Sequence, residues 1–361
     1  MTERSQADLA PASAPRLSDL RAILVFAMNL LGDSICRLPA IAAAKRTYPD
    51  ARVMVVVDPR YREVFDGQPF VGEVWPLDRA GSRVAQAAAW LRLIAQARRA
   101  RPNLVLDLYG SKRTALFSRL IGARWRAGLH ERGRSGWYNL RPTQPLRLEG
   151  HIIEQINAAV AAGGVPAEFR YVPIAITEAD RTAAREAPAR AGLAEAERLV
   201  LLNPSARVAA KRWPAERFGE LARALESQVK VGCGVITAPG EEGLTQAAVA
   251  AATGAAVALP RLTIKELAAM LASARGVVTG DTGVLHLATA MGTPSVVLAG
   301  PTDPHLVTYR GVRQVALFHR DACVDWRGEA QCTTYNECTK RHCIDAITVE
   351  EVAEAVRALL E

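Results

Sequence analysis

Short apolar runs of strand length alternate with segments of helical period along this 361-residue chain, and the alternation starts twice. Runs at 22–26, 53–57, 74–77 and 104–108 are separated by 35–48, 84–99 and 113–121. In the first of those intervals Ile35, Leu38, Ile41 and Ala42 recur at helical spacing. A strand, a crossover helix and a second strand fit in roughly thirty residues, which predicts right-handed parallel units. After a Pro- and Ala-rich stretch over 172–192 the pattern resumes, with strands at 199–202, 234–237, 257–259, 276–279 and 295–299. Helical segments at 214–228, 241–252, 264–273 and 284–291 lie between them, and 349–360 is a last amphipathic helix opened by Thr348.

This pattern predicts an α/β protein of two doubly wound Rossmann-like domains facing across a cleft, with helices on both faces of each sheet. Expected boundaries are a disordered tail over 1–20, a first domain over 21–175, a linker over 176–195, a second domain over 196–345 and the terminal helix over 346–361. The length exceeds what one core usually serves, and a composition 50% hydrophobic suffices for two. The start of the chain has neither the charge pattern nor the apolar run of a signal peptide, and the apolar runs elsewhere are too short to span a bilayer. A cytoplasmic protein is expected.

The net charge of +8 is concentrated. Between Gly110 and Glu149 nine basic residues face two acidic ones, a local +7. Such a patch attracts acidic partners, unless it is simply a solvated surface. The aromatic interleaving of single-strand nucleic-acid binders is missing, so no nucleic acid is expected. Cys36 and Cys233 sit in apolar surroundings, whereas Cys323, Cys332, Cys338 and Cys343 cluster without the paired C-x2-C knuckles of zinc sites. A metal at this cluster is possible but weakly signalled; the expected metal is none, and the cluster otherwise reads as a cysteine-bearing loop.

Chemistry gathers at the ends of the strands. The run Val277-Val-Thr-Gly280 ends in Asp281-Thr282-Gly283 and opens into a helix holding His286. Unpaired N–H groups and a positive dipole make that helix start an anion site, although Asp281 could equally be a plain cap. Gly32 permits a tight turn, and Asp33 beside it can take a proton from an acceptor hydroxyl or cap the helix that follows. Lys211 precedes Trp213-Pro214, with Pro214 suited to a first helical turn, and is either a cation for a departing phosphate or a solvated lysine. Glu241, in Pro239-Gly240-Glu241-Glu242, either grips a ribose hydroxyl or starts a helix with acid. No G-x-G-x-x-G follows the first strand and no P-loop occurs.

Taken in order, Gly32-Asp33, Asp107-Leu-Tyr-Gly-Ser-Lys-Arg113, Lys211-Arg-Trp-Pro214, Gly280-Asp-Thr-Gly-Val-Leu-His286 and Gly292-Thr-Pro294 resemble glycosyltransferase family 9, the lipopolysaccharide heptosyltransferases, over residues 21–361. The resemblance implies the GT-B architecture. It also implies metal-independent, inverting transfer of a heptose from an ADP-sugar donor to an acidic lipopolysaccharide inner-core acceptor, with no cofactor. By the same resemblance Asp33 is the general base and Lys211 contacts the donor phosphates. Ser205, Glu241, Asp281, Thr282, Gly283 and His286 form the donor site, and Lys112, Arg113 and Arg141 bind the acceptor. The stretch 203–207 lacks the paired threonines that some members carry. A lipid-linked acceptor would draw the basic domain to the inner face of the inner membrane, although no amphipathic anchor is evident. Rival readings are a family transferase acting on a protein or using another nucleotide sugar, and a non-catalytic nucleotide-sugar binding module.

Overall fold

The computed structural model describes residues 17, 19–129, 136–140, 151–166, 168–193, 199–328 and 330–361. Most of the tail expected over 1–20, and much of the basic stretch including Arg141, lie outside the described residues. The chain divides into two compact units, Met1–Arg170 and Tyr171–Glu361.

In the first unit β1 (Ala22–Ala27), β2 (Arg52–Val57), β3 (Glu73–Pro76), β4 (Leu104–Asp107) and β5 (Trp125–Gly128) form a sheet in the order β3-β2-β1-β4-β5. All its pairings are parallel. Every residue of β1 is buried, as a central strand covered on both faces requires. The helices are α1 (Leu31–Ile35), α2 (Leu38–Thr47), α3 (Arg83–Ala100), α4 (Lys112–Ile121) and α5 (Ile152–Ala161). One core joins Leu24 and Phe26 of β1 to Met54, Val56, Trp75, Trp90 and Leu93. The helix expected over 35–48 is broken: Pro39 sits at the start of α2, and the chain reaches it through the short α1, which contains Asp33.

The second unit holds β6 (Leu199–Asn203), β7 (Gly232–Val235), β8 (Ala256–Ala258), β9 (Gly276–Gly280), β10 (Ser295–Ala299) and β11 (Gln314–Phe318). Their order is β11-β10-β9-β6-β7-β8, again all parallel. The helices are α6 (Glu178–Arg190), α7 (Ala215–Val229), α8 (Glu242–Ala252), α9 (Ile264–Ser273), α10 (Gly283–Met291), α11 (His342–Asp345) and α12 (Val349–Leu360). The segment expected to be a linker thus carries α6, which packs on α9. On one face α12 inserts Val352, Val356 and Leu359 into the core beside Phe218, Leu221 and Leu225 of α7. The Trp213 indole, buried under the start of α7, donates to the Ile347 carbonyl at 2.9 Å and ties the end of the unit to the loop after β6.

Because each sheet is parallel, all of its carboxyl ends lie on one rim. Binding residues of open parallel sheets gather at that rim.

Candidate active site

The rim of the second unit is built around one lysine. Lys211 ends a short 3-10 turn, Ala209–Lys211, on the loop leaving β6. That turn is seated by two glycines: a Cβ at Gly280 would lie 3.1 Å from the Lys211 carbonyl, and one at Gly300 would lie 3.1 Å from the Ala210 carbonyl. Any larger residue would push the turn outward. Close backbone approach is what glycine permits, and here it delivers the Lys211 ammonium onto the Asp281 carboxylate.

The pair is nearly dry, with side chains 17% and 12% exposed. Burial alone would raise the Asp281 pKa. The Lys211 charge and hydrogen bond outweigh that effect, helped by His286 and by the Thr302 hydroxyl, and leave the carboxyl below its usual range. Asp281 therefore does not cap α10; Thr282 occupies the cap position. The Tyr335 ring covers Lys211 from the cysteine-bearing loop, its centroid 5.3 Å from Nζ. Beside this pair, Arg212 is bonded to Glu241, which stands at the cap position of α8.

The register of the sheet places Asn203, the last residue of β6, opposite Thr279 in β9. The Asn203 amide donates to Thr279 Oγ1 at 2.8 Å and to Thr282 Oγ1 at 3.2 Å. Asn203 and Ser205 are 2% and 7% exposed, yet Asn203 Oδ1 and Ser205 Oγ have no hydrogen-bond partner among the described residues. Buried polar atoms left so are rare and call for a partner from outside the chain. His286, one turn into α10, lies with Nδ1 2.8 Å from the Tyr171 hydroxyl, and the two rings stack. Ser205, Lys211, Glu241, Asp281, Thr282, Gly283 and His286 thus all belong to the loops and helix starts of one rim.

The first unit has its own polar rim. Asp33 is half-buried in α1, and its carboxylate has no hydrogen bond or ion pair among the described residues. Its backbone carbonyl accepts from Arg37, a fully buried guanidinium that also donates to the Leu108 carbonyl at 2.8 Å. Burial lowers the Arg37 pKa, opposed above all by Asp33. Asp107, buried at the end of β4, has its pKa raised by burial while its carboxylate accepts from Gly110 N, Tyr109 N and the Tyr138 hydroxyl at 2.9, 3.2 and 2.7 Å. These bonds shape the loop that presents Lys112 and Arg113, both exposed at the start of α4, with Arg113 over the Trp90 ring. Arg79 bridges Asp58 and the Tyr109 hydroxyl at 3.2 and 3.0 Å, joining the loops after β2, β3 and β4.

Sequence reasoning missed Asn203, Thr279, Tyr171, Arg37 and Tyr335 as parts of these rims. Only the first two carried a signal: each is a polar residue closing an apolar strand run. The four clustered cysteines are free thiols. Cys343 is pushed up to about 11 by burial and by the neighbouring Cys323 and Cys338.

Comparison with known proteins gives the family and the fold. The description Glycosyltransferase family 9 (heptosyltransferase) matches residues 90–335. The lipopolysaccharide heptosyltransferase 1 of Pseudomonas aeruginosa is 30% identical over 307 residues, covering 82% of this chain and 83% of that protein. Among solved structures, the family 9 glycosyltransferase of Veillonella parvula superposes with a TM-score of 0.80 at 21% identity, covering 97% of this chain and 99% of that one. The E. coli heptosyltransferase WaaC, solved with ADP-2-deoxy-2-fluoro heptose, gives 0.69 at 20% identity over 93% and 99%. Two doubly wound parallel-sheet units of this kind are the GT-B architecture. The chain is a glycosyltransferase, and it belongs to glycosyltransferase family 9, the heptosyltransferases.

Proposed function

We propose that this enzyme transfers a heptose from ADP-heptose to an acidic acceptor of the lipopolysaccharide inner core, with inversion and without a divalent metal. The observation that carries this reading is the rim of the second unit, where the Lys211–Asp281 pair, the start of α10 and two unsatisfied buried polar atoms stand together. A diphosphate supplies the negative charge and acceptor oxygens that Lys211 and the α10 N–H groups can meet. The similar WaaC was solved with an ADP-heptose analogue, which supports this nucleotide sugar as the donor. The relatives' names support lipopolysaccharide as the acceptor.

In the proposed reaction Asp33 takes the acceptor hydroxyl proton as its oxygen attacks the anomeric carbon, and the bond to the ADP oxygen breaks with its electrons leaving on the diphosphate. Single displacement inverts the centre. Lys211 and the N–H groups of α10 stabilise the charge on the departing group, the role a metal plays elsewhere. Lys112 and Arg113 hold the acidic acceptor, and Glu241 contacts the ribose; Arg141 is assigned to the acceptor by resemblance alone. A lipid-linked acceptor brings the enzyme to the membrane surface, and among the described residues no helix is long and apolar enough to cross it.

A transfer assay tests the reading. With ADP-heptose and core acceptor, in EDTA, wild type should turn over, while Asp33→Asn should lose about a hundredfold to ten-thousandfold in kcat. Thermal shift should select ADP-heptose over UDP- and GDP-sugars. Near-normal turnover by a folded Asp33→Asn protein removes the base, and preference for another nucleotide removes the donor.

A further inference from the structure

In the first unit α3 and α4 lie side by side. The rings of Trp90 and Phe117 stack 4.3 Å apart between them, and the Arg98 guanidinium of α3 donates to the Leu120 carbonyl of α4 at 3.0 and 2.8 Å. A surface helix ordinarily turns one apolar stripe to the core and polar residues to water. Here α3 is apolar on both sides. Trp90, Leu93, Ile94 and Ala97 are buried, while Val84, Ala87, Leu91 and Ala95 recur at helical spacing on the outer side and are exposed. On α4 Leu116 and Leu120, four residues apart, are exposed too. Of the seven large apolar side chains exposed among the described residues, these two helices hold four, so the exposure is a patch rather than a scatter.

The charge of this face has one sign. Together α3 and α4 carry Arg83, Arg92, Arg98, Arg99, Lys112, Arg113 and Arg119, all exposed, and not one Asp or Glu. None of these cations makes an ion pair among the described residues. Apolar side chains set between unpaired cations suit a layer that is anionic at its surface and hydrocarbon just beneath. The leucines and the aliphatic arginine stems enter it while the guanidinium groups meet phosphate. A second copy of this chain would bring like charges together, and nucleic acid would set the leucines against a polar backbone. Sequence periodicity concealed the face, because apolar residues on both sides of α3 blur the single stripe of an amphipathic anchor.

We infer that the outer face of α3 and α4 docks on the anionic phospholipid surface of a membrane. Its purpose rests on the lipid-linked acceptor proposed above: α4 opens with Lys112 and Arg113, the residues assigned to that acceptor, so the docked face leads into the acceptor rim of the first unit.

Cosedimentation of the intact chain with vesicles that contain no acceptor tests the face by itself. Wild type should bind vesicles of mixed phosphatidylcholine and phosphatidylglycerol, bind those of phosphatidylcholine alone far less, and come off as salt is raised. Arg92→Gln with Arg119→Gln should weaken binding by about fivefold for each charge removed, and Leu91→Ser with Leu116→Ser by about tenfold. All four positions are exposed and lie outside the proposed catalytic and binding groups, so both double variants should keep wild-type turnover on a soluble, delipidated core acceptor. No binding by wild type, equal binding to the two kinds of vesicle, or full binding by either double variant overturns the inference. A concentration-dependent dimer that Leu91→Ser with Leu116→Ser dissolves, without vesicle binding, gives the face to a second copy and overturns it as well. Vesicle binding without transfer of heptose removes the proposed reaction and leaves the docking face, whereas transfer to the soluble acceptor without vesicle binding does the reverse.

Discussion

Lys211 and Asp281 show how a single residue pair serves two demands. With so little solvent around either group, each needs the other, and removing one partner leaves a buried charge whose cost is about 3–5 kcal/mol. Lys211→Met should therefore lower both turnover and stability. Adding Asp281→Asn should recover most of the stability, because no bare charge remains, while turnover stays about a hundredfold to a thousandfold below wild type. Denaturant midpoints and kcat measured on the same three proteins separate the two effects. Recovery of turnover along with stability would make the pair structural only.

At the scale of elements, the loops after β2, β3 and β4 are joined by charge, and this joint should titrate. The Arg60 guanidinium is the main reason that the Asp58 pKa is lowered to about 2, with Arg79 contributing. A depressed carboxylate adds stability that is present above its unfolded pKa, near 4, and is lost as pH falls through about 2. Allowing for the exposed Arg60, the contribution is about 1–2 kcal/mol. Asp58→Asn should cost about that much at neutral pH and flatten the acid limb between those values, as read from urea unfolding at a series of pH values. An unchanged limb would mean that Asp58 keeps its ordinary pKa.

Central strands were legible in the sequence because burial on both faces makes them continuously apolar, as in β1, β2, β9 and β10. The edges were not. In β5, Trp125 and Arg126 interrupt the pattern, and β11 is half-buried throughout. The helix α6 read as a linker because its Ala, Arg and Pro residues carry almost no apolar stripe, although Thr177 and Asp180 form a capping box that signals its start. The site was legible where glycine or a helix start left a local mark, at Asp281 to Gly283 and at Lys211. Asn203 and Thr279 were visible as polar residues closing their runs, but their contact across 76 positions is set by the sheet register and was not.

For the whole molecule, two sheets with separate cores predict separable melting. The proposed donor site lies within the second unit, so ADP-heptose should raise that unit's transition and leave the other where it is. At a hundredfold excess over Kd the linkage is about 2.7 kcal/mol, which for a unit of this size is a rise of roughly 5–10 °C. Scanning calorimetry of the intact chain, with the transitions assigned by Gly219→Ala in the tight α7–α8 contact, reads this directly; a shift confined to the first unit would relocate the donor. The turn that carries Lys211 has a further consequence. It is lodged against the main chain at Gly280 and Gly300, so that part of its seat is kept when surrounding side chains change. Descendants of this sequence can exchange those neighbours and explore new sugars while the ammonium keeps its address.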